Sequence, residues 1–85
     1  MTTVSVHYWA GARAAAGGDS DSIDAATVAE ALDRVRELHA NPHFDRVLAI
    51  SSILVDGVSC PVGDRHQPLT VPVRVEVLPP FAGGA

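Results

Sequence analysis

Residues 27–40 read TVAEALDRVRELHA and hold the strongest structural signal in the chain. Thr27 and Glu30 have the spacing of a capping box, in which the threonine side chain accepts from a first-turn N–H and the glutamate reaches back to the cap. Asn41-Pro42 follows and ends the pattern, because proline disfavours a helical residue before it. The sequence therefore predicts a helix over about residues 27–40, with one apolar stripe formed by Val28, Ala31, Leu32, Val35 and Leu38.

The segment before this helix predicts strands. Residues 4–9, VSVHYW, alternate apolar and polar side chains and predict a first strand. Residues 10–18 are rich in small residues and end in Gly17-Gly18, which indicates a turn. Residues 22–25 are a weaker candidate for a second strand.

The segment after the helix predicts a hairpin and a final strand. Residues 44–50 predict one further short turn of helix, and residues 52–55 predict a buried strand. Asp56-Gly57 is a strong two-residue hairpin signal, with residues 58–60 returning. After a polar loop at 61–67, residues 69–78 predict the last strand, although Pro72 indicates an edge or a bulge in its early part.

The order strand, strand, helix, strand, return, strand predicts an α+β fold of the β-grasp type. One helix with one apolar stripe needs one sheet face to cover it. The first and last strands alternate most strongly, so we expect them at the centre of a mixed sheet. We expect residues 1–80 to form this domain and residues 81–85 to form a flexible tail. A chain of 85 residues has room for one core and little room for a deep active site, which favours a carrier, a subunit or a binding module.

Composition argues against several classes of function. The net charge of −4 disfavours nucleic acid, whose phosphates require a basic surface. No run is long enough to cross a membrane and no signal peptide is visible, so we expect a cytoplasmic location. The single cysteine, Cys60, rules out an internal disulfide and an iron–sulfur ferredoxin. Cys60 is better explained as a small buried side chain than as a sulfur-relay thiol.

The basic residues and the histidines argue against two further functions, acceptance of an isopeptide bond and metal binding. All six basic residues are arginine, so no side chain can accept an isopeptide bond, although the C-terminus could still donate one. His39 and His43 lie on either side of Asn41-Pro42 and do not share a helix face, so we expect no metal site there.

The chain ends in LPPFAGGA, residues 78–85. Two glycines lack side chains and could enter a channel too narrow for other residues. Pro79 and Pro80 stop the strand and would project the tail from the sheet. Leu78, Pro79, Pro80 and Phe81 would form an apolar surface of the kind that often marks an interface. A frayed terminus without function is the alternative explanation.

Two stretches carry a family resemblance. Residues 8–17, YWAGARAAAG, resemble the aromatic-aromatic-Ala-x-x-Arg-x-x-x-Gly signature of the MoaD-type small subunit of molybdopterin synthase. Residues 78–84, LPPFAGG, are similar to the ending of the same ThiS/MoaD family, which is ubiquitin-like in fold. The capped helix also starts where that family has its helix, so the resemblance extends over nearly the whole chain.

The resemblance implies a sulfur carrier that is not an enzyme by itself and binds no cofactor. A MoeB/ThiF-type, ubiquitin-activating-type enzyme would use ATP to adenylate the carboxylate of Gly84. A sulfur donor, a desulfurase or rhodanese, would convert it to a thiocarboxylate. A MoaE-type large subunit would then receive Gly83 and Gly84 in its catalytic pocket and pass the sulfur to a pterin precursor. Arg13, Ala82 and the apolar residues at 78–81 would contact these partners, although a loop salt bridge explains Arg13 equally well.

The sequence differs from the family pattern at three places. Ala14 stands where glutamate is common, and residues 70–74, TVPVR, replace an acidic turn. Ala85 follows the glycine pair and would block the carboxylate. Its presence has three explanations, namely later removal by a peptidase, an origin in cloning, or a carrier that works differently; the first two are favoured. Two other functions stay open: a sulfur carrier for thiamine thiazole, cysteine or a thio-metabolite, and a ubiquitin-like protein modifier.

Overall fold

The structure is a computed structural model that describes residues 1–80. Within these residues the strands are β1 (Thr2–Tyr8), β2 (Ser20–Ala25), β3 (Ser52–Val55), β4 (Val58–Ser59) and β5 (Val73–Leu78). The helices are α1 (Ala10–Ala16), α2 (Val28–His39) and α3 (Pro42–Ile50), and a short 3₁₀ turn spans Val62–Asp64. No helix between residues 1 and 80 is both long enough and apolar enough to span a bilayer.

The strands form one mixed sheet in the order β2-β1-β5-β3-β4. β5 is parallel to β1, with Val4 opposite Val73 and Tyr8 opposite Val77, and it is antiparallel to β3 on its other side. The first and last strands are therefore neighbours in the middle of the sheet, as the alternation predicted. The sheet and the main helix confirm the predicted α+β, β-grasp architecture.

The core lies between one face of this sheet and the helices. β1 and β5 direct every second side chain into it, and α2 and α3 cover that face with their apolar sides. The side chains that are largest and almost completely shielded from solvent are Phe44, Val4, Val6, Val35, Val75 and Val77. Phe44 packs edge-on against Tyr8, with 5.5 Å between the ring centroids, so α3 is fixed to the end of β1.

The start of α2 confirms the capping box with one difference. Thr27 accepts a hydrogen bond from the N–H of Glu30 at 3.1 Å, as predicted. The Glu30 carboxylate accepts from the N–H of Ala26 at 3.1 Å, one residue before the cap, rather than from Thr27 itself. Both bonds satisfy main-chain donors that the first helical turn and its lead-in would otherwise leave free.

Two predictions about the helices were wrong in detail, and a third, the end of α2 before Asn41-Pro42, was right but incomplete. Residues 10–16 form α1 rather than a small-residue loop, and Gly17 ends it in the left-handed conformation at φ 73°. Asn41 does not simply end α2: its side chain accepts from His43 N–H and caps α3, with Pro42 in the first turn. Leu38 is 59% exposed and does not belong to the buried stripe, because it lies in an open groove beside Ile23 of β2 and not over the core.

The last strand is shorter than predicted. It begins at Val73 rather than at residue 69, and Val71 is exposed instead of facing the core. Pro72 has no N–H to donate to a ladder, so pairing starts directly after it. Residues 69–72 instead pass the start of α2, where Leu69 N–H donates to the Ala26 carbonyl at 2.8 Å.

Two leucines on α2 test this description of the core. Leu32→Ala should lower the free energy of unfolding by about 2–5 kcal/mol, because it leaves a cavity among buried side chains. Leu38→Ala should change it by less than about 1 kcal/mol, since the side chain is mostly in water. Urea titration followed by circular dichroism measures both. Equal losses for the two variants would contradict the packing of Leu32 into the core and the exposure of Leu38.

Candidate functional site

The point where the chain leaves β5 is the candidate site. β5 is bonded on both sides: Trp9 N–H donates to the Val77 carbonyl at 3.2 Å, and Ser52 of β3 lies opposite Leu78. Any segment that follows Leu78 therefore starts from the middle of the sheet and not from a loose edge. β5 is therefore held by neighbouring strands on both sides up to its last residues.

The two prolines at this point differ in their surroundings. Pro79 is buried, Pro80 is exposed and Leu78 is half-buried. Pro79 is therefore shielded from solvent at the end of β5, and Pro80 is the first residue after the strand to face solvent. The predicted docking roles of both prolines stay predictions.

Two exposed apolar side chains lie on the segments that border this point. Trp9 is 46% exposed and directly follows β1, with its amide on β5. Ile50 is 65% exposed and ends α3, two residues before the Ser52–Leu78 pair. We call Trp9, Ile50 and Leu78 the exit rim, because their backbones lie on the end of β5 or on the two segments that border it. Exposed large apolar side chains at such a point are candidates for a protein interface.

The other predicted site residues have different outcomes. Phe81, Ala82, Gly83 and Gly84 lie outside the described residues, so their proposed roles stay predictions. Arg13 lies on α1 and forms an ion pair with Asp19, with both side chains more than 60% exposed. Such a pair contributes little to stability, so the guanidinium stays available to a partner. The structure thus contains the predicted salt bridge and leaves a partner role for Arg13 open.

Sequence reasoning missed the role of Ile50 in the exit rim. The segment 44–50 was predicted as a helical turn that closes the core, and Phe44 and Leu48 do so. Ile50 follows them at the end of the helix, where the chain turns into β3. A signal was present: Ile50 stands two residues after Leu48, so it cannot share the buried face of the same helix.

A polar cluster ties β2 to the helices beneath the exit rim. The Asp21 carboxylate accepts a hydrogen bond from the Tyr8 hydroxyl at 2.8 Å and lies 2.7 Å from His39 Nε2. Phe44 stacks on the His39 ring at 4.5 Å between centroids. Burial, followed by the hydrogen bond and the charge of Asp21, raises the pKa of the Tyr8 phenol far above its usual value. The Tyr8 hydroxyl therefore keeps its proton and links β1 to β2, while the Asp21–His39 contact links β2 to α2.

Cys60 and the histidines do not form a reactive centre in residues 1–80. Cys60 is half-buried and packs against the core, while its carbonyl accepts from Arg65 Nε at 3.1 Å. His39 binds Asp21, and His43 is exposed at the start of α3. In this part of the chain no three His, Cys, Asp or Glu side chains are grouped so that they could hold a metal ion.

Comparisons with known proteins place the fold. Neither a protein-family profile nor a curated protein sequence matches the chain. Among solved structures, small archaeal modifier protein 1 from Methanosarcina acetivorans is 21% identical with a TM-score of 0.81, and the match covers 99% of this chain and 98% of that one. A protein assigned as molybdopterin converting factor subunit 1 from Pyrococcus furiosus is 24% identical with a TM-score of 0.77, over 94% and 99% of the two chains.

A third similar structure is a protein–protein complex of subunits 1 and 2 of molybdopterin-converting factor from Helicobacter pylori. The matched chain is 18% identical with a TM-score of 0.71, over 96% of this chain and 99% of that one. At these identities the likeness shows the fold, which is the predicted ubiquitin-like β-grasp. It agrees, at the level of fold, with the resemblance of the end motifs to the ThiS/MoaD family.

The Tyr8–Asp21 contact predicts a loss of stability in alkali. The folded phenol has a pKa above that of the unfolded chain, so the stability present below about pH 10 is lost as the pH rises, by at most about 1.4 kcal/mol per pH unit. Few other groups titrate there, because the chain has one tyrosine and its six basic residues are all arginine. Urea unfolding in a Cys60→Ser background, on either side of this pH, measures the loss. Tyr8→Phe should show a clearly smaller loss, and an equal loss would contradict the assignment.

Proposed function

We propose that this chain is a sulfur carrier and acts as the small subunit of a molybdopterin synthase. The observation that carries the proposal is the sequence LPPFAGG at residues 78–84, placed directly after the central strand of a β-grasp sheet. An exposed loop or an edge strand could end in two glycines by chance. The combination with a firmly held strand, the residue 8–17 motif and this fold is far more specific.

The group that reacts in this proposal is the carboxylate of Gly84. A carboxylate is a poor electrophile, so it first attacks the α-phosphate of ATP on an activating enzyme, and pyrophosphate leaves. The outer sulfur of a persulfide on the sulfur donor then displaces AMP from the acyl-adenylate and gives an acyl disulfide. A second thiol reduces this S–S bond and is itself oxidised to a disulfide with the donor, so the chain end carries a thiocarboxylate. The loaded end donates its sulfur to a pterin precursor in the large subunit, and two loaded carriers supply the two sulfurs of the dithiolene. The carrier brings the reactive atom and the partner brings the catalytic pocket.

Gly84 has a free carboxylate only after Ala85 has been removed. A peptidase that recognises the small residues around the glycine pair is therefore part of the proposal, unless Ala85 is foreign to the natural chain. The proposal includes the expected cytoplasmic location, because the activating enzyme uses ATP. No cofactor is required by the carrier itself.

The exit rim is the surface that we assign to the large subunit. Trp9 and Ile50 present aromatic and branched apolar area on either side of the point where the chain leaves β5. A pocket entrance that accepts residues 81–84 must lie against this surface, because so short a segment reaches only about 14 Å when extended. The complex of subunits 1 and 2 from Helicobacter pylori offers a related arrangement for comparison.

A protein modifier is the second candidate. The structural similarity to a small archaeal modifier protein, at a TM-score of 0.81, supports a modifier as an alternative function. A modifier would use the same Gly84 adenylate but pass the acyl group to a lysine of another protein. The absence of lysine from this chain prevents side-chain-linked polymers of the carrier in either case. A sulfur carrier for thiazole, cysteine or a thio-metabolite uses the same end and differs only in the acceptor.

Intact-mass measurement tests the proposal. A chain that ends at Gly84 should gain the mass difference between sulfur and oxygen after incubation with the activating enzyme, ATP and a sulfur donor. The same chain without Gly84 should keep its fold and stay unmodified, which is the matched control. Adding the large subunit and the pterin precursor should return the carboxylate and yield a dithiolene.

Each outcome separates the candidates. Loading without sulfur transfer to the pterin would favour another sulfur pathway. Covalent attachment to lysines of other proteins would favour the modifier. No loading of the chain that ends at Gly84 would contradict all three functions.

The exit rim gives a second prediction. Trp9→Ser and Ile50→Ser should each weaken binding to the large subunit about tenfold or more, because central apolar side chains dominate interface energy. Val62→Ser is the control, since Val62 is 71% exposed but lies on the distant 3₁₀ turn. Isothermal titration calorimetry measures the three affinities. A loss for Val62→Ser equal to the other two would contradict the assignment of the rim.

A further inference from the structure

The long outer edge of the sheet is a second feature that the proposed function does not use. Among residues 1–80, β2 pairs only with β1 and is therefore an edge strand, six residues long, whereas the opposite edge strand β4 has two. An edge strand presents main-chain donors and acceptors to which another extended chain can bind.

The register identifies the free main-chain groups. Tyr8 N–H donates to the Asp19 carbonyl at 2.9 Å, one step beyond the His7–Ser20 pair. Hydrogen-bonded and free pairs alternate along an antiparallel ladder. The main-chain groups of residues 19, 21, 23 and 25 therefore point towards β1. Those of Ser20, Ser22 and Asp24 point away from the sheet.

An open groove lies beside this edge, between β2 and α2. Its volume is about 480 Å³, and it is lined by Ile23, Asp24, Arg34, Glu37 and Leu38. Ile23 is half-buried and Leu38 is 59% exposed, so the groove has an apolar floor. A strand added to β2 would direct every second side chain onto Ile23 and Leu38 and the others to the opposite face, beside Asp24.

The charged side chains that line the groove favour a positively charged ligand. Arg34, the cation that lines it, is already paired with Glu30 at 3.4 Å. Asp24 and Glu37 have no cationic partner within residues 1–80, and Asp24 accepts only a long bond from the Thr3 hydroxyl at 3.4 Å. A second copy of this chain would bring the same carboxylates together and is repelled. A basic strand is attracted.

We propose that β2 is a docking edge for an extended basic peptide segment of a protein partner. The segment adds a strand through Ser20, Ser22 and Asp24, places apolar side chains on Ile23 and Leu38, and pairs its arginines or lysines on the opposite face with Asp24. Glu37, on the helix side of the groove, adds a longer-range attraction for the same positive charges. This mode of recognition takes affinity from the main chain and specificity from alternate side chains. The site lies on β2, which β1 separates from β5, so the proposal holds whether or not Gly84 carries sulfur.

Titration with a synthetic peptide tests the proposal. The probe is an acetylated and amidated hexapeptide of alternating arginine and valine, and the control peptide has glutamate in place of arginine. Amide chemical shifts of the nitrogen-15-labelled full chain should move for Ser20, Ser22, Asp24 and Leu38 with the basic peptide only. No shift at millimolar peptide, or equal shifts with both peptides, would overturn the proposal.

Two variants make the test specific. Ser22→Pro removes an outward N–H and no ladder bond, so it should keep the fold and abolish binding. Glu37→Arg, on the exposed face of α2, should weaken binding of the basic peptide about fivefold and strengthen binding of the acidic peptide. Asp33→Arg makes the same charge change on α2 outside the groove and should leave the affinities for both peptides unchanged. Unchanged binding in Ser22→Pro and in Glu37→Arg, or dimerisation of the free chain through β2, would overturn it.

Discussion

The parallel pairing of β1 with β5 is the constraint on which the rest of the structure depends. Two parallel neighbours cannot be joined by a tight turn, so the chain must cross from one to the other, and helices α2 and α3 lie over one face of the sheet on the way. They cover the valines of both strands on that face, and this makes the core. The same pairing places the last strand at the centre, with β3 on its other side. The end of β5 is therefore held by strands on both sides.

Much of the fold could be predicted because its signals are local. The cap at Thr27, the Asp56-Gly57 turn and the alternation in β1 each depend on residues a few positions apart, and the structure contains all three. Helix α1 was missed because Trp9, its N-cap residue, makes no side-chain cap bond and the helix has no polar pattern. Its run of alanines was the usable signal, since alanine has the highest helix propensity.

The candidate site was predictable only in part. The residue types at 78–84 pointed to the end of β5, but the burial of Pro79 depends on neighbours brought in by the sheet and could not be read from two adjacent prolines. The exit rim joins Trp9 and Ile50, which are far apart in sequence. The Tyr8–Asp21–His39 cluster likewise arises from three separate elements. Such groupings follow from register, and register is set by long-range pairing.

The central claim is that a β-grasp platform presents the carboxylate of Gly84 for adenylation. The most direct measurement is ATP–pyrophosphate exchange catalysed by the activating enzyme of the same source, with this chain as the second substrate. We expect exchange with the chain that ends at Gly84 and none with the chain that still carries Ala85. No exchange with the shorter chain, or equal exchange with both, would contradict the claim.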